Sequence, residues 1–141
     1  MLRHSYARLP DCTRTFYGGD KIKIYIAGKW EERRRIARYA RTLIQKGHTI
    51  TWPWYSKEPK NASASSCALK DVEGVRKADT CIFVFDKPLP YKGAYSELGM
   101  ALALRKRVLI VGKDGDSCVF VHYPTNEHVR NIREAYRCLA V

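Results

Sequence analysis

The sequence predicts an α/β domain built on a mostly parallel sheet with helices on both faces. Three observations predict it. Lys21-Ile-Lys-Ile-Tyr-Ile-Ala27 alternates and is β-branched, as a strand should be, and a helical periodicity follows it. Thr80-Cys-Ile-Phe-Val-Phe85 is almost wholly apolar, the composition of a central parallel strand covered on both sides. Strand-like and helix-like segments then alternate along the chain, which is the pattern of βαβ crossovers.

The elements follow in order. Residues 1–20 are aperiodic and read as an N-terminal extension or arm, ahead of a single domain over 21–141. After the first strand, ended by Gly28, Glu31 to Lys46 places Ile36, Tyr39, Ala40, Leu43 and Ile44 on one helix face. Its acids lead and Lys46 trails, matching the macrodipole, and Gly47 suits the C′ position. His48 to Trp52 is a second strand. Residues 53–66 form a long polar loop, of the kind that often binds or covers a ligand. Leu69, Val72, Val75 and Ala78 mark a short helix opened by Asp71. The third strand, Thr80 to Phe85, leads through a loop to a small-residue helix from Ala94 to Leu104. Its Gly99 and alanines should let it lie close to the sheet. Arg107 to Val111 is a fourth strand. Short strands are expected around Val119 to His122 and near Val129, and a last helix from Asn131 to Leu139.

Bulk properties narrow the class. The chain has 141 residues, enough for one domain with a core. No apolar run approaches the roughly 20 residues of a membrane span, and Met1 to Pro10 lacks the apolar core of a signal peptide. The default is a soluble, cytoplasmic protein. The five cysteines are odd in number and widely spaced, and the four histidines show no ligand spacing, so neither a disulfide framework nor a metal site is expected. No cofactor is implied. The formal net charge of +12 points to an anionic partner or substrate.

In open parallel sheets, ligands bind beyond the carboxyl ends of the strands, at a switch in strand order. That rule selects the loops at 28–31, 53–66 and 86–96. They present Tyr25, Gly28, Lys29 and Trp30; Asp71; and Tyr91, Lys92, Gly93, Ser96 and Glu97. Glu97 is expected in a helix first turn, where the N-terminal dipole would keep it ionised and nucleophilic. Taken singly these residues are ordinary: a dipole-matched acid, a core tyrosine, a turn without a GxGxxG phosphate fingerprint. Arg33, Arg34, Arg35, Arg38 and Arg41 read most simply as a solvated helix face.

Three segments together are more specific. Ile24-Tyr-Ile-Ala-Gly-Lys-Trp30, Asp71-Val-Glu-Gly-Val-Arg-Lys-Ala-Asp79 and Gly93-Ala-Tyr-Ser-Glu-Leu-Gly-Met-Ala-Leu-Ala103 resemble the nucleoside 2-deoxyribosyltransferase family, which includes 2′-deoxynucleoside 5′-phosphate N-hydrolases. The resemblance runs from about Lys21 to Val129. It implies a flavodoxin-like three-layer sandwich with a five-stranded sheet in the order 2-1-3-4-5. It implies Glu97 as the nucleophile on the anomeric carbon, Tyr25 as the hydroxyl that positions it, and Asp71 as the acid near the sugar. It implies Gly28 and Gly93 as places where sugar or phosphate approaches closely. Dimers or dimer-based hexamers are implied too, with a neighbouring subunit completing the site near 117–128.

One position departs from the family pattern. Six residues before Glu97, where transferases carry an acid for the leaving base, stands Tyr91. A phenol, with an ordinary pKa near 10, is a poor proton donor at neutral pH. The expected reaction is cleavage or transfer of an N-glycosidic bond through a glycosyl-Glu97 intermediate, by analogy with retaining glycosidases. Lys29, Arg33, Lys57 and Lys92 favour a phosphorylated substrate, and Trp30, Trp52, Trp54 and Tyr55 could wall a base. Two alternatives stay open: a glycohydrolase of NAD or cyclic ADP-ribose species, and a silent nucleotide- or nucleic-acid-binding module. A small-molecule substrate is favoured over nucleic acid.

Overall fold

A computed structural model describes residues 21–56, 63–115 and 117–139. The arm expected over 1–20, and Lys57 in the long loop, lie outside the described residues. Five parallel strands form one sheet: β1 (Lys23–Ala27), β2 (Thr49–Ile50), β3 (Thr80–Val84), β4 (Arg107–Val111) and β5 (Glu127–Val129). Their order is β2-β1-β3-β4-β5. Among the described residues the α-helices are α1 (Arg33–Gln45), α2 (Ala64–Lys77), α3 (Lys92–Ala103) and α4 (Ile132–Cys138). The architecture is flavodoxin-like, as expected.

The two-residue period of the strands builds both cores at once. Ile24 and Ile26 of β1, Ile82 and Val84 of β3, and Leu109 and Val111 of β4 pack against Ile36, Ala40 and Leu43 of α1 and Ala135 of α4. Tyr25, Ala27, Cys81, Phe83, Val108 and Ile110 point the other way, onto Val75 of α2 and Ala94, Leu98 and Ala101 of α3. Tyr25 therefore shares a layer with α2 and α3, which is what brings it to the site.

Local chemistry sets the ends of the helices. A 3-10 turn over Trp30–Glu32 leads into α1. Gly47 closes it at φ +95°, with its N–H on the Ile44 carbonyl and the His48 N–H on the Leu43 carbonyl at 3.1 Å. The Ser63 side chain caps α2, accepting from the Ser66 N–H at 3.1 Å. Asn131 does the same for α4 from the Glu134 N–H. Arg107 donates to both carboxylate oxygens of Glu127 (2.7 and 2.9 Å) and to the Cys138 carbonyl (2.8 Å), tying the edge strand to α4.

Several expectations change. Val119–His122 is a 3-10 turn, not a strand, because the free edge of β4 is taken by Glu127–Val129. Asp71 does not open its helix; α2 begins at Ala64, so Asp71 lies in its middle. On that helix Val75 and Ala78 are buried, but Leu69 is 71% exposed and Val72 46% exposed. Ile44, placed on the buried face of α1, is largely exposed. Gly99 faces Phe120 rather than the sheet, and a Cβ there would meet the Phe120 ring in ordinary contact at 4.0 Å.

Gly112 closes β4 at φ +88°, and a Cβ there would stand 2.5 Å from the Asp86 Cα and 2.7 Å from the Phe85 carbonyl oxygen. Both backbone strain and a contact with main chain oppose any larger residue. Gly112→Ala should cost at least about 2 kcal/mol of unfolding free energy. Urea denaturation measures it, and a loss below about 0.5 kcal/mol would contradict the account.

Candidate active site

β1 and β3 lie side by side, yet the chain leaves them toward opposite faces, to α1 and to α3. A crevice opens where the two connections diverge. It holds a cavity of about 610 Å³, within the range that suits a small organic ligand. Tyr25, Gly28, Lys29, Trp30, Asp71, Tyr91, Lys92, Gly93 and Glu97 all line it. Ser96 does not: it is exposed, and its hydroxyl donates to the Lys92 carbonyl. Trp52, Trp54, Cys67 and Lys70 complete much of the wall.

Glu97 is the sixth residue of α3, in the second turn rather than the first, and the first turn of α3 has no acid. The helix terminus therefore does not hold it ionised. Burial dominates instead and pushes its pKa up to about 7; the Tyr25 hydroxyl opposes the shift by donating to the carboxylate, and the charge of Asp71 adds to it. The Tyr25 phenol is 1% exposed. Burial first, and the Glu97 charge second, hold it far above the ordinary phenol range, so it serves as a donor. Asp71 is raised by burial as well, against the opposing hydrogen bond that the Trp52 indole N–H donates to it at 3.1 Å.

One glycine seats this group. A Cβ on Gly74 of α2 would lie 2.8 Å from the Trp52 Cβ and 2.9 Å from the Tyr25 ring. Its absence lets the helix carrying Asp71 press against both partners of the two acids. Gly28 also has a packing reason, since a Cβ there would meet Ile36 Cδ1 at 2.9 Å, whereas Gly93 faces open space.

Tyr91 cannot take the role its position suggested. Its ring lies among Phe85 and Tyr95, and its hydroxyl donates to the Lys87 carbonyl at 2.8 Å and accepts from the Lys87 N–H. Burial raises its pKa further. Lys29 reaches across the crevice to the Pro90 carbonyl at 2.9 Å. Arg33 covers the Trp30 ring at 4.6 Å, and Lys70 covers Trp52 at 4.9 Å. Trp54 donates its indole N–H to the Ile26 carbonyl.

Two contributors are invisible in the sequence pattern. Trp52 reads there only as a stacking wall, yet it holds Asp71. Arg35 reads there as part of a solvated face, yet it donates two bonds to Asp86 (2.5 and 2.8 Å) and one to Glu32 (2.9 Å), while Glu32 also meets Lys87 at 3.0 Å. This network pins the 86–91 loop, and with it the start of α3, to α1.

The family model for nucleoside 2-deoxyribosyltransferase matches residues 24–132. The chain belongs to that family. Membership assigns it, in general terms, to the enzymes that cleave or transfer N-glycosidic bonds. Among solved structures it is similar to the CMP N-glycosidase BcmB of Clostridium botulinum, at 18% identity and a TM-score of 0.61 over 83% of this chain and 97% of that one. A conserved protein of Enterococcus faecalis V583 gives 21% identity and a TM-score of 0.64, over 84% of this chain and 96% of that one. A 2-deoxyribosyltransferase of Bacillus psychrosaccharolyticus gives 19% identity and a TM-score of 0.64, over the same shares. At these identities the likeness to the solved structures speaks to the fold. No curated protein sequence matches the chain.

The raised pKa of Glu97 carries a stability signature. Its folded value of about 7 lies above the ordinary 4.5, so the neutral form favours the folded state. That contribution is complete below pH 4.5 and is lost as pH rises to 7. The loss is about 3 kcal/mol. Unfolding free energies across pH 4–8 should fall in the wild type relative to Glu97→Gln, and parallel curves would refute the burial account. In a second measurement, Trp52→Phe removes the indole donor. A carboxyl NMR titration should then show Asp71 titrating higher than in the wild type, and an unchanged midpoint would show that the bond does not form.

Proposed function

We propose that this chain cleaves or transfers the N-glycosidic bond of (deoxy)nucleosides or their 5′-monophosphates through a covalent glycosyl-Glu97 intermediate. The observation that carries the reading is the half-buried Glu97 carboxylate on the wall of a nucleoside-sized cavity, with Tyr25 and Asp71 on the same wall and close enough to shift its titration. In the first step a Glu97 carboxylate oxygen bonds to the anomeric carbon as the carbon–nitrogen bond breaks. The electron pair leaves on the base nitrogen, which takes up a proton. Asp71, whose carboxyl lines the cavity beside Glu97, contacts the sugar hydroxyls or assists that proton transfer, since Tyr91 is engaged with Lys87. In the second step water or another base attacks the same carbon and releases Glu97. Exclusion of water by the closed crevice sets the balance between hydrolysis and transfer.

The rim supports a phosphorylated substrate. Lys29, Lys70 and Lys92 line the cavity, and the similar CMP N-glycosidase is named for a nucleoside monophosphate. Trp30 and Trp52 offer faces for the base. A dimer through the α2–α3 layer fits the exposed Leu69, Val72, Leu104, Val119 and Phe120.

The test is mass spectrometry of the wild type and of Glu97→Ala with deoxynucleosides and their 5′-monophosphates. The wild type should release free base and form a glycosyl adduct on the peptide carrying Glu97, and Glu97→Ala should release base at least about 1,000-fold more slowly. Because the nucleophile must be ionised, kcat/KM should rise with pH through about 7. Base release that survives Glu97→Ala sinks the reading.

A further inference from the structure

We propose that the α1–α4 layer binds single-stranded nucleic acid, with the phosphate backbone lying along a ridge of arginines on α1. Arg34, Arg38 and Arg41 are spaced by four and three residues and are exposed, so they form one solvent-facing row about 10 Å long. Among the described residues none of the three has a carboxylate partner. Arg133 of α4 is exposed as well, and α4 packs beside α1, where the Tyr136 hydroxyl donates to the Tyr39 carbonyl. Of the acids near this layer, Glu32 is engaged with Arg35 and Lys87 and Glu134 with Arg130, while Glu31 is exposed in the turn before α1, at the cavity end of the row.

The ridge lies outside the cavity, since none of Arg34, Arg38 and Arg41 lines it. A mononucleotide seated there has no contact with them. The start of α1 nevertheless adjoins the cavity mouth, where Trp30 is 36% exposed beneath the Arg33 guanidinium. Aromatic faces next to a basic track are how single strands are held without regard to sequence. Guanidinium groups also match phosphate geometry bidentately. An anionic membrane suits this face less well. Ile36, Ala40 and Leu43 of α1 are committed to the core, which leaves Ile44 as that helix's exposed large apolar side chain, and the exposed apolar side chains of α2 and the Val119–His122 turn lie on the opposite layer. Basic side chains are exposed on both layers, but Arg76 and Lys77 of α2 pair with Glu73 of the same helix, whereas α1 carries no acid of its own.

The experiment is fluorescence anisotropy with a fluorescein-labelled, mixed-sequence 20-nucleotide single-stranded DNA between 50 and 200 mM salt. Three proteins are compared: the wild type, the triple variant R34Q/R38Q/R41Q, and a charge-matched control, R76Q/K77Q/R105Q. The wild type should bind with a steep salt dependence. The α1 triple should lose roughly 10- to 100-fold in affinity, and its log–log salt slope should fall by about 2. The control should change less than about 3-fold, and R34K/R38K/R41K should recover most of the binding. The proposal is overturned if the wild type does not bind, if both glutamine triples weaken equally, or if the α1 triple binds like the wild type. It is also overturned if vesicles containing phosphatidylglycerol bind as tightly and lose binding in parallel, which would make the face a general anionic-surface binder. Base release from a mononucleotide should be unchanged in the α1 triple, so the glycosidic reading stands or falls separately. Slower mononucleotide kcat/KM with intact strand binding would make the ridge a steering field and overturn the proposal.

Discussion

A carboxylate buried in a mostly apolar crevice is unstable unless its surroundings are arranged for it, and much of this structure is that arrangement. Glu97 sits in the second turn of α3 with burial lifting its titration to about 7. The Tyr25 hydroxyl answers that cost and the nearby Asp71 adds to it. Each of these groups needs its own support: Tyr25 from the alternation of β1, Asp71 from the Trp52 indole, and both supports from the missing side chain at Gly74.

The fold was legible because its signals are local. The apolar run at Thr80–Phe85, the alternation of Lys21–Ala27 and the capping chemistry at Gly47 depend on residues next to one another. Errors arose where a segment competes for a partner far away in sequence. Val119–His122 has strand composition, but β4 has one free edge and Glu127–Val129, clamped by Arg107, takes it. The start of α2 carries no such local signal, because a serine cap and a run of small polar residues look the same in a loop and in a helix.

The candidate site was legible as a set of residues and illegible as a set of roles. Tyr25, Asp71 and Glu97 line one cavity, yet Glu97 owes its titration to burial and not to the helix terminus that its place in the sequence suggests. Trp52 and Arg35 carry no local signal at all. Their contributions are hydrogen bonds to acids 19 and 51 residues away, one from Trp52 and two from Arg35, and only the folded chain brings those atoms together. Ser96 shows the converse, since sequence adjacency to Glu97 did not place it on the cavity wall.

The knot of hydrogen bonds between Tyr91 and Lys87 has a consequence for how such a site can change. By donating to and accepting from one residue four places earlier, Tyr91 closes the 87–91 loop into a small ring, and Phe85 and Tyr95 hold that ring against the core. Stiffness and acidity are therefore rivals for the same position. An aspartate there would bring a proton to the cavity and leave the loop unfastened, and a tyrosine fastens the loop and brings none. The chemistry open to this enzyme is bounded by which of those two properties its loop can do without.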